Sequence, residues 1–140
     1  ISDRGRPGRD AVSEHYTAHD VRALKKASFD VLLSHEPPLG AAAVIHPKYA
    51  EGGSPDCAEL LRSQRPALHF CGHYHEPGSL LDAPDRVRSY QLNAVNFLRA
   101  ERLNPGCIAV VEWNDATDAR VELLDPPWLR EYTRHTWRHL

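Results

Sequence analysis

Nine of the 140 residues are histidine, and three of them stand where chemistry is easiest to build. His35 closes the apolar run Phe29-Asp30-Val31-Leu32-Leu33-Ser34. His73 and His75 follow Gly72 in Gly72-His73-Tyr74-His75, directly after Ala67-Leu68-His69-Phe70-Cys71. Neutral imidazole is a good ligand for zinc, manganese, iron or nickel, and two rings one residue apart can serve a metal site if the loop turns both inward. In a chain of this composition a Gly-His-x-His run arises about 0.03 times by chance, so its position after an apolar run carries weight. Gly72 reads as the residue that lets the chain turn sharply and approach a ligand. Pro37-Pro38 and Pro77 stop each run just past its histidine and stiffen both loops.

These side chains need elements to carry them. Short, nearly continuous apolar runs such as 29–34 read as strands buried on both faces. Between the two histidine-ended runs lies a long irregular loop, 39–53. Ser54-Pro55 then forms an N-cap and first-turn pair, opening a helix to about Gln64 that Pro66 closes. Strand, crossover helix and strand make a βαβ unit, so the two strands are expected to be parallel. In open α/β sheets ligands sit beyond the carboxyl ends of such strands, where His35, His73 and His75 emerge.

Upstream, residues 1–14 read as a loose lead-in. Thr17 then caps a helix, with Asp20 three positions on and Val21, Leu24 and Ala27 as its apolar stripe. Downstream, residues 87–92, 106–113 and 120–124 read as strands, the last two joined by a turn at 114–119 as an antiparallel hairpin. Residues 127–140 have helical character, with Leu129, Tyr132 and Thr136 on one side. The division expected is a lead-in, a domain over 15–125 and a helical tail over 126–140, with an α/β fold.

Asp30-Val31-Leu32-Leu33-Ser34-His35-Glu36-Pro37-Pro38 followed by Gly72-His73-Tyr74-His75 resembles the last two motifs of the calcineurin-like metallophosphoesterases. Asn104-Pro105-Gly106, leading into the strand that ends at Trp113, is similar to the segment that follows them in many members. The resemblance spans roughly residues 29–113. It implies a layered β-sandwich flanked by helices, incomplete in this chain. It implies two divalent metal ions (manganese, iron, zinc or nickel), with His35 and His73 on one and His75 on the other. The activity implied is hydrolysis of a phosphomonoester or phosphodiester by a metal-bound hydroxide, and the partner a small phosphorylated substrate or nucleotide. The family pattern opens with D-x-H, G-D and G-N-H-[DE], and none of these occurs here. The missing ligands and the catalytic histidine are therefore expected upstream of Ile1, with this segment inactive alone. A non-catalytic binding or scaffold module with a degenerate metal site is one alternative, and an RNA-directed phosphodiesterase using a basic, aromatic tail is the other.

Other residues carry lesser expectations. His46, Lys48 and Tyr49 lie in the long loop, where His46 could contact substrate, and the Tyr74 ring could line the pocket. Glu36 and Glu76 follow site histidines and could accept a ring N–H. His69 alternates with Leu68 and Phe70 and is read as structural. Arg130, Arg134 and Arg138, interleaved with Trp128, Tyr132 and Trp137, could contact single-stranded RNA. The plain reading is a terminal helix docking its aromatics on the sheet. His135 with His139, and His15 with His19, are spaced four apart.

The formal charge of −2 argues against a domain whose main task is gripping nucleic-acid phosphates, though nucleic acid stays among the possible partners. No apolar run is long enough to span a membrane, and the basic opening residues lack a signal peptide's apolar stretch. Three widely spaced cysteines without a C-x-x-C pair read as reduced thiols, which places the protein in the cytoplasm. There is no methionine, even at position 1, which reads as processing or as part of a longer chain.

Overall fold

A computed structural model describes residues 16–80, 84–95, 103–115, 118–133 and 135–136. The lead-in 1–14, His15, Arg134, Trp137, Arg138 and His139 lie outside the described residues. The fold is mixed α/β, with two helices and two sheets among the described residues.

Helix α1 (Ala18–Leu24) starts where the sequence places it. Thr17 caps it reciprocally with Asp20, whose carboxylate accepts from the Thr17 N–H at 2.7 Å. Val21 is buried, but Ala27 lies past the helix end and is exposed. Helix α2 (Pro55–Gln64) begins with Ser54 Oγ accepting from the Cys57 N–H and ends at Arg65, whose left-handed conformation precedes Pro66. Its inner face, Cys57, Leu60 and Leu61, packs with Leu32 and Val87. Removing a leucine side chain from water contributes about 2 kcal/mol, so this face is the main fastening of helix to sheet. Lys25 Nζ pairs with Glu59 at 2.6 Å, and Gln64 Nε2 donates to the Lys25 carbonyl at 2.9 Å, which ties α1 to α2.

The larger sheet contains β1 (Val31–Leu33), β2 (Leu68–Cys71), β3 (Gly78–Leu80) and β4 (Arg88–Gln91) in the order β1-β2-β4-β3. β1 and β2 are parallel in the register Leu32↔His69, as the βαβ reading requires. β4 is also parallel to β2, while β3 runs antiparallel to β4. β3 is an addition to the expected elements, because Gly78-Ser79-Leu80 has no strand-like pattern of its own. It is a strand only because β4 offers it an edge.

One expectation fails at β1. Only Leu32 is buried, whereas Val31 and Leu33 are 41% and 70% exposed. The reason is topological: β1 is an edge strand, and among the described residues only its α2 side is covered. A continuous apolar run implies two buried faces, but here one face is covered.

The second sheet is the expected hairpin, β5 (Ala109–Trp113) with β6 (Ala119–Leu123). Ala119, with Ala109 and Val121, packs against Leu68, Phe70 and Tyr90 on the side of the large sheet away from α2. The tail departs from its helical reading. Pro127–Arg130 form a single 3-10 turn, and no α-helix occurs in the described part of 126–140. Pro126-Pro127 removes two backbone donors, and tertiary packing takes over from there. Leu129 is fully buried with Leu103 and Cys107, and Tyr132 packs beside them. Trp128 stands 46% exposed. Cys57, Cys71 and Cys107 are all free and buried, and burial pushes the Cys57 thiol up to about 11. Among the described residues no helix is long and apolar enough to cross a membrane.

Candidate metal centre

The carboxyl ends of β1 and β2 lie side by side, and their pairing continues past the strands. The Ser34 N–H donates to the Phe70 carbonyl at 2.9 Å, and the Gly72 N–H donates to the His35 carbonyl at 2.9 Å. This brings His35 and His73 together, with His35 Nε2 and His73 Nδ1 3.0 Å apart and the rings edge to face. At that distance the two ring nitrogens hydrogen-bond to each other, one donating and one accepting, whereas a tetrahedral ion about 2.1 Å from each would set them about 3.4 Å apart. Both rings are exposed. Partial burial, then the neighbouring His73, lowers the His35 pKa, which favours the neutral, metal-binding form.

The His35 turn is fixed from below. Ser34 Oγ donates to the Glu36 carbonyl at 2.6 Å and contacts His69 Nε2 at 2.8 Å. On the far side of the ring, His69 Nδ1 meets Ser89 Oγ at 3.1 Å. Since the Ser34 proton is committed to Glu36, His69 carries its proton on Nε2 and accepts from Ser89 on Nδ1. The Cys57 thiol also reaches Ser34 Oγ, at 3.6 Å. A buried polar chain thus runs from β4 through β2 to the turn after β1. His69 is fully buried, and desolvation lowers its pKa to about 4. Its structural reading gains a specific job. Pro37 and Pro38 are buried too, and the Ser54 N–H donates to the Pro37 carbonyl at 2.8 Å, which joins the start of α2 to the turn.

The second turn is built differently. Gly72 is not its strained residue, because a Cβ there would meet the His35 carbonyl oxygen at an ordinary 3.9 Å. The left-handed positions are the ligand candidates themselves, His73 at φ 74° and His75 at φ 58°. Such backbone persists in non-glycine residues only where the surroundings hold it. Tyr74 is placed to do so. Its half-buried ring lies between His73, at 4.8 Å, and Tyr49, stacked at 3.9 Å. Its hydroxyl fills the space a side chain on Gly52 would need.

The remaining candidate residues are placed as follows. Glu76 turns toward the loop, with Oε1 accepting from the Tyr49 hydroxyl at 3.0 Å and lying 3.5 Å from Lys48 Nζ. It therefore serves Tyr49 and Lys48 instead of a histidine ring. His46 caps the 3-10 turn Pro47–Tyr49 by accepting from the Lys48 N–H at 3.1 Å, and stays exposed. Glu36 contributes its backbone carbonyl to Ser34. Asn104-Pro105-Gly106 lies against the second turn: Gly106 adopts φ 70°, and a Cβ there would strike Pro77. His75 remains exposed. Among the described residues no group of three or more His, Cys, Asp or Glu side chains is arranged to hold a metal ion.

The structure thus brings two candidate imidazole donors together, His35 and His73, and two such donors leave any ion most of its ligands to find elsewhere. His75 adds a single imidazole for any second ion. Sequence reasoning missed Tyr49 as an anchor, along with Ser34, Ser89 and Gln91. The glycine pair Gly52-Gly53 was the only local hint that something packs closely there. No protein-family model and no curated protein matches the sequence.

Proposed function

We propose that this chain supplies the C-terminal metal ligands of a metal-dependent phosphoric ester hydrolase of the calcineurin-like kind. The observation that supports it best is the His35–His73 pair, two imidazole nitrogens 3.0 Å apart at adjacent parallel strand ends. In this reading His35 and His73 hold one divalent ion and His75 contributes to a second. The chemistry supplied by the bound ions is acidification of water and neutralisation of phosphoryl charge. The histidines bind in their neutral forms, and the exposed Val31 and Leu33 of edge strand β1 are the surface this reading leaves for the rest of a two-sheet, helix-flanked sandwich. The substrate is a small phosphomonoester or phosphodiester, a nucleotide among them, acted on in the cytoplasm.

A second reading, a binding module with a degenerate site, is favoured by one observation: the described residues bring two candidate ligands together, not three. Manganese-dependent turnover of an aryl phosphodiester and an aryl phosphomonoester by the complete protein separates the two readings. His73→Ala is expected to abolish turnover. Full activity in that variant overturns the hydrolase assignment, and an inactive wild type that still binds the metal favours the module.

A further inference from the structure

We propose that Tyr49 is a positioning residue that holds the His73–His75 turn in its left-handed backbone by gripping the chain on both sides of His75. Its ring stacks on Tyr74, one residue before His75, with centroids 3.9 Å apart and planes 12° from parallel. Its hydroxyl donates to Glu76, one residue after, at 3.0 Å. The outer edge of the grip is closed by Lys48, whose Nζ lies 4.6 Å from the Tyr49 ring centroid and 3.5 Å from Glu76. One tyrosine from the 39–53 loop thus fixes both neighbours of a candidate ligand.

The turn needs such a grip. His73 and His75 both have positive φ, a conformation that costs an L-residue about 1 kcal/mol or more. Strain of that size relaxes unless it is opposed on both sides. From inside the fold, Gln91 opposes it by donating from Nε2 to the Glu76 carbonyl at 2.6 Å. The commitment of Gln91 is visible in its other atom: Oε1 is buried and without a hydrogen-bond partner among the described residues. Gln91 therefore holds the Glu76 backbone, and Tyr49 holds the Glu76 side chain and the Tyr74 ring. The loop itself is seated by the Tyr74 hydroxyl, which fits against Gly52.

The backbone claim stands on this geometry alone, whereas its consequence for ion affinity rests on the hydrolase reading. The test uses the complete protein and two measurements. The first is the intraresidue amide-to-Hα cross-relaxation peak of His73 and His75, which is strong only where φ is positive. The second is calorimetric titration with zinc. Tyr49→Phe and Glu76→Ala, which remove the hydroxyl contact, should weaken the His75 peak and spare that of His73. Tyr49→Leu, which also removes the stack, should weaken both peaks and lower zinc affinity roughly tenfold, the order seen when a residue supporting a ligand is lost. Glu76→Gln keeps a side-chain acceptor and should restore the wild-type peaks.

Unchanged peaks in Tyr49→Leu overturn the proposal. If that variant does not fold, Tyr49→Phe keeps the packed ring and decides the matter by the His75 peak. A complete protein that binds no zinc counts against the hydrolase reading, while the peaks still judge Tyr49.

Discussion

The two turns that carry the candidate ligands are held in different proportions from the core and from the rim. The His35 turn hangs from the core: His69 and Ser89 pass hydrogen bonds across β2 and β4 to Ser34, and every link is buried or half-buried. The His73–His75 turn has one buried tie, from Gln91 to the Glu76 carbonyl, and is otherwise clamped from its rim by Tyr49 and Lys48, with Pro77 resting on Gly106 behind it. A core-anchored turn shares the cooperativity of the whole fold, so disturbing it costs global stability. A rim-anchored turn can change shape while the sheet stays intact. The candidate site built this way has one fixed wall and one more adjustable wall.

The largest expected effect comes from breaking the core anchor. His69→Ala leaves the Ser34 and Ser89 hydroxyls facing a cavity and should lower the unfolding free energy by about 3 to 4 kcal/mol, read from urea denaturation. A loss below about 1 kcal/mol would mean that the buried chain does not anchor the turn.

Acid should act on the same wall. Burial lowers the His69 pKa from 6.5 to about 4. Below pH 6.5 the unfolded chain takes up a proton that the folded state refuses until about pH 4. The stabilisation from neutral His69 is therefore complete above the unfolded value, falls as pH drops through this window and is gone below it. Its full size is about 3 kcal/mol. His35, lowered by burial and by His73, contributes in the same direction. A pH titration of stability should show the slope in wild type and a shallower one in His69→Phe. Equal slopes would remove His69 as its source.

The rim should be softer. Gly106→Ala places a methyl group against Pro77 at φ 70° and should cost about 1 to 2 kcal/mol. Its spectral changes should centre on residues 73–77 rather than on His35. Perturbation of both turns alike would erase the distinction between core and rim.

Part of this architecture was legible in the residues, for physical reasons that are local. Ser54-Pro55 and Pro66 bound α2 because capping and proline geometry act within one turn of chain. The Thr17–Asp20 box marked the start of α1 in the same way. The apolar runs before His35 and Gly72 located β1 and β2, and the crossover between them required a parallel pair. The adjacency of His35 and His73 follows from that topology. The tail was not legible: Leu129 and Tyr132 fit a helical spacing, yet they are packed from a 3-10 turn and the irregular segment after it.

By itself, then, the sequence determined which residues end the central strands and that those ends share one side of a parallel sheet. Capping, chain stiffness and the handedness of the crossover are properties of short segments. Tertiary structure alone decided that β1 would be an edge with Leu33 exposed, that β3 would exist, and that His69 would be wired to two serines. It also decided that Tyr49 would meet the turn at Tyr74 and Glu76, although nothing in their spacing along the chain signals a contact. The physical reason is that edge exposure, strand pairing and buried hydrogen bonds depend on which distant segments come to share a surface. No short window of residues contains that information.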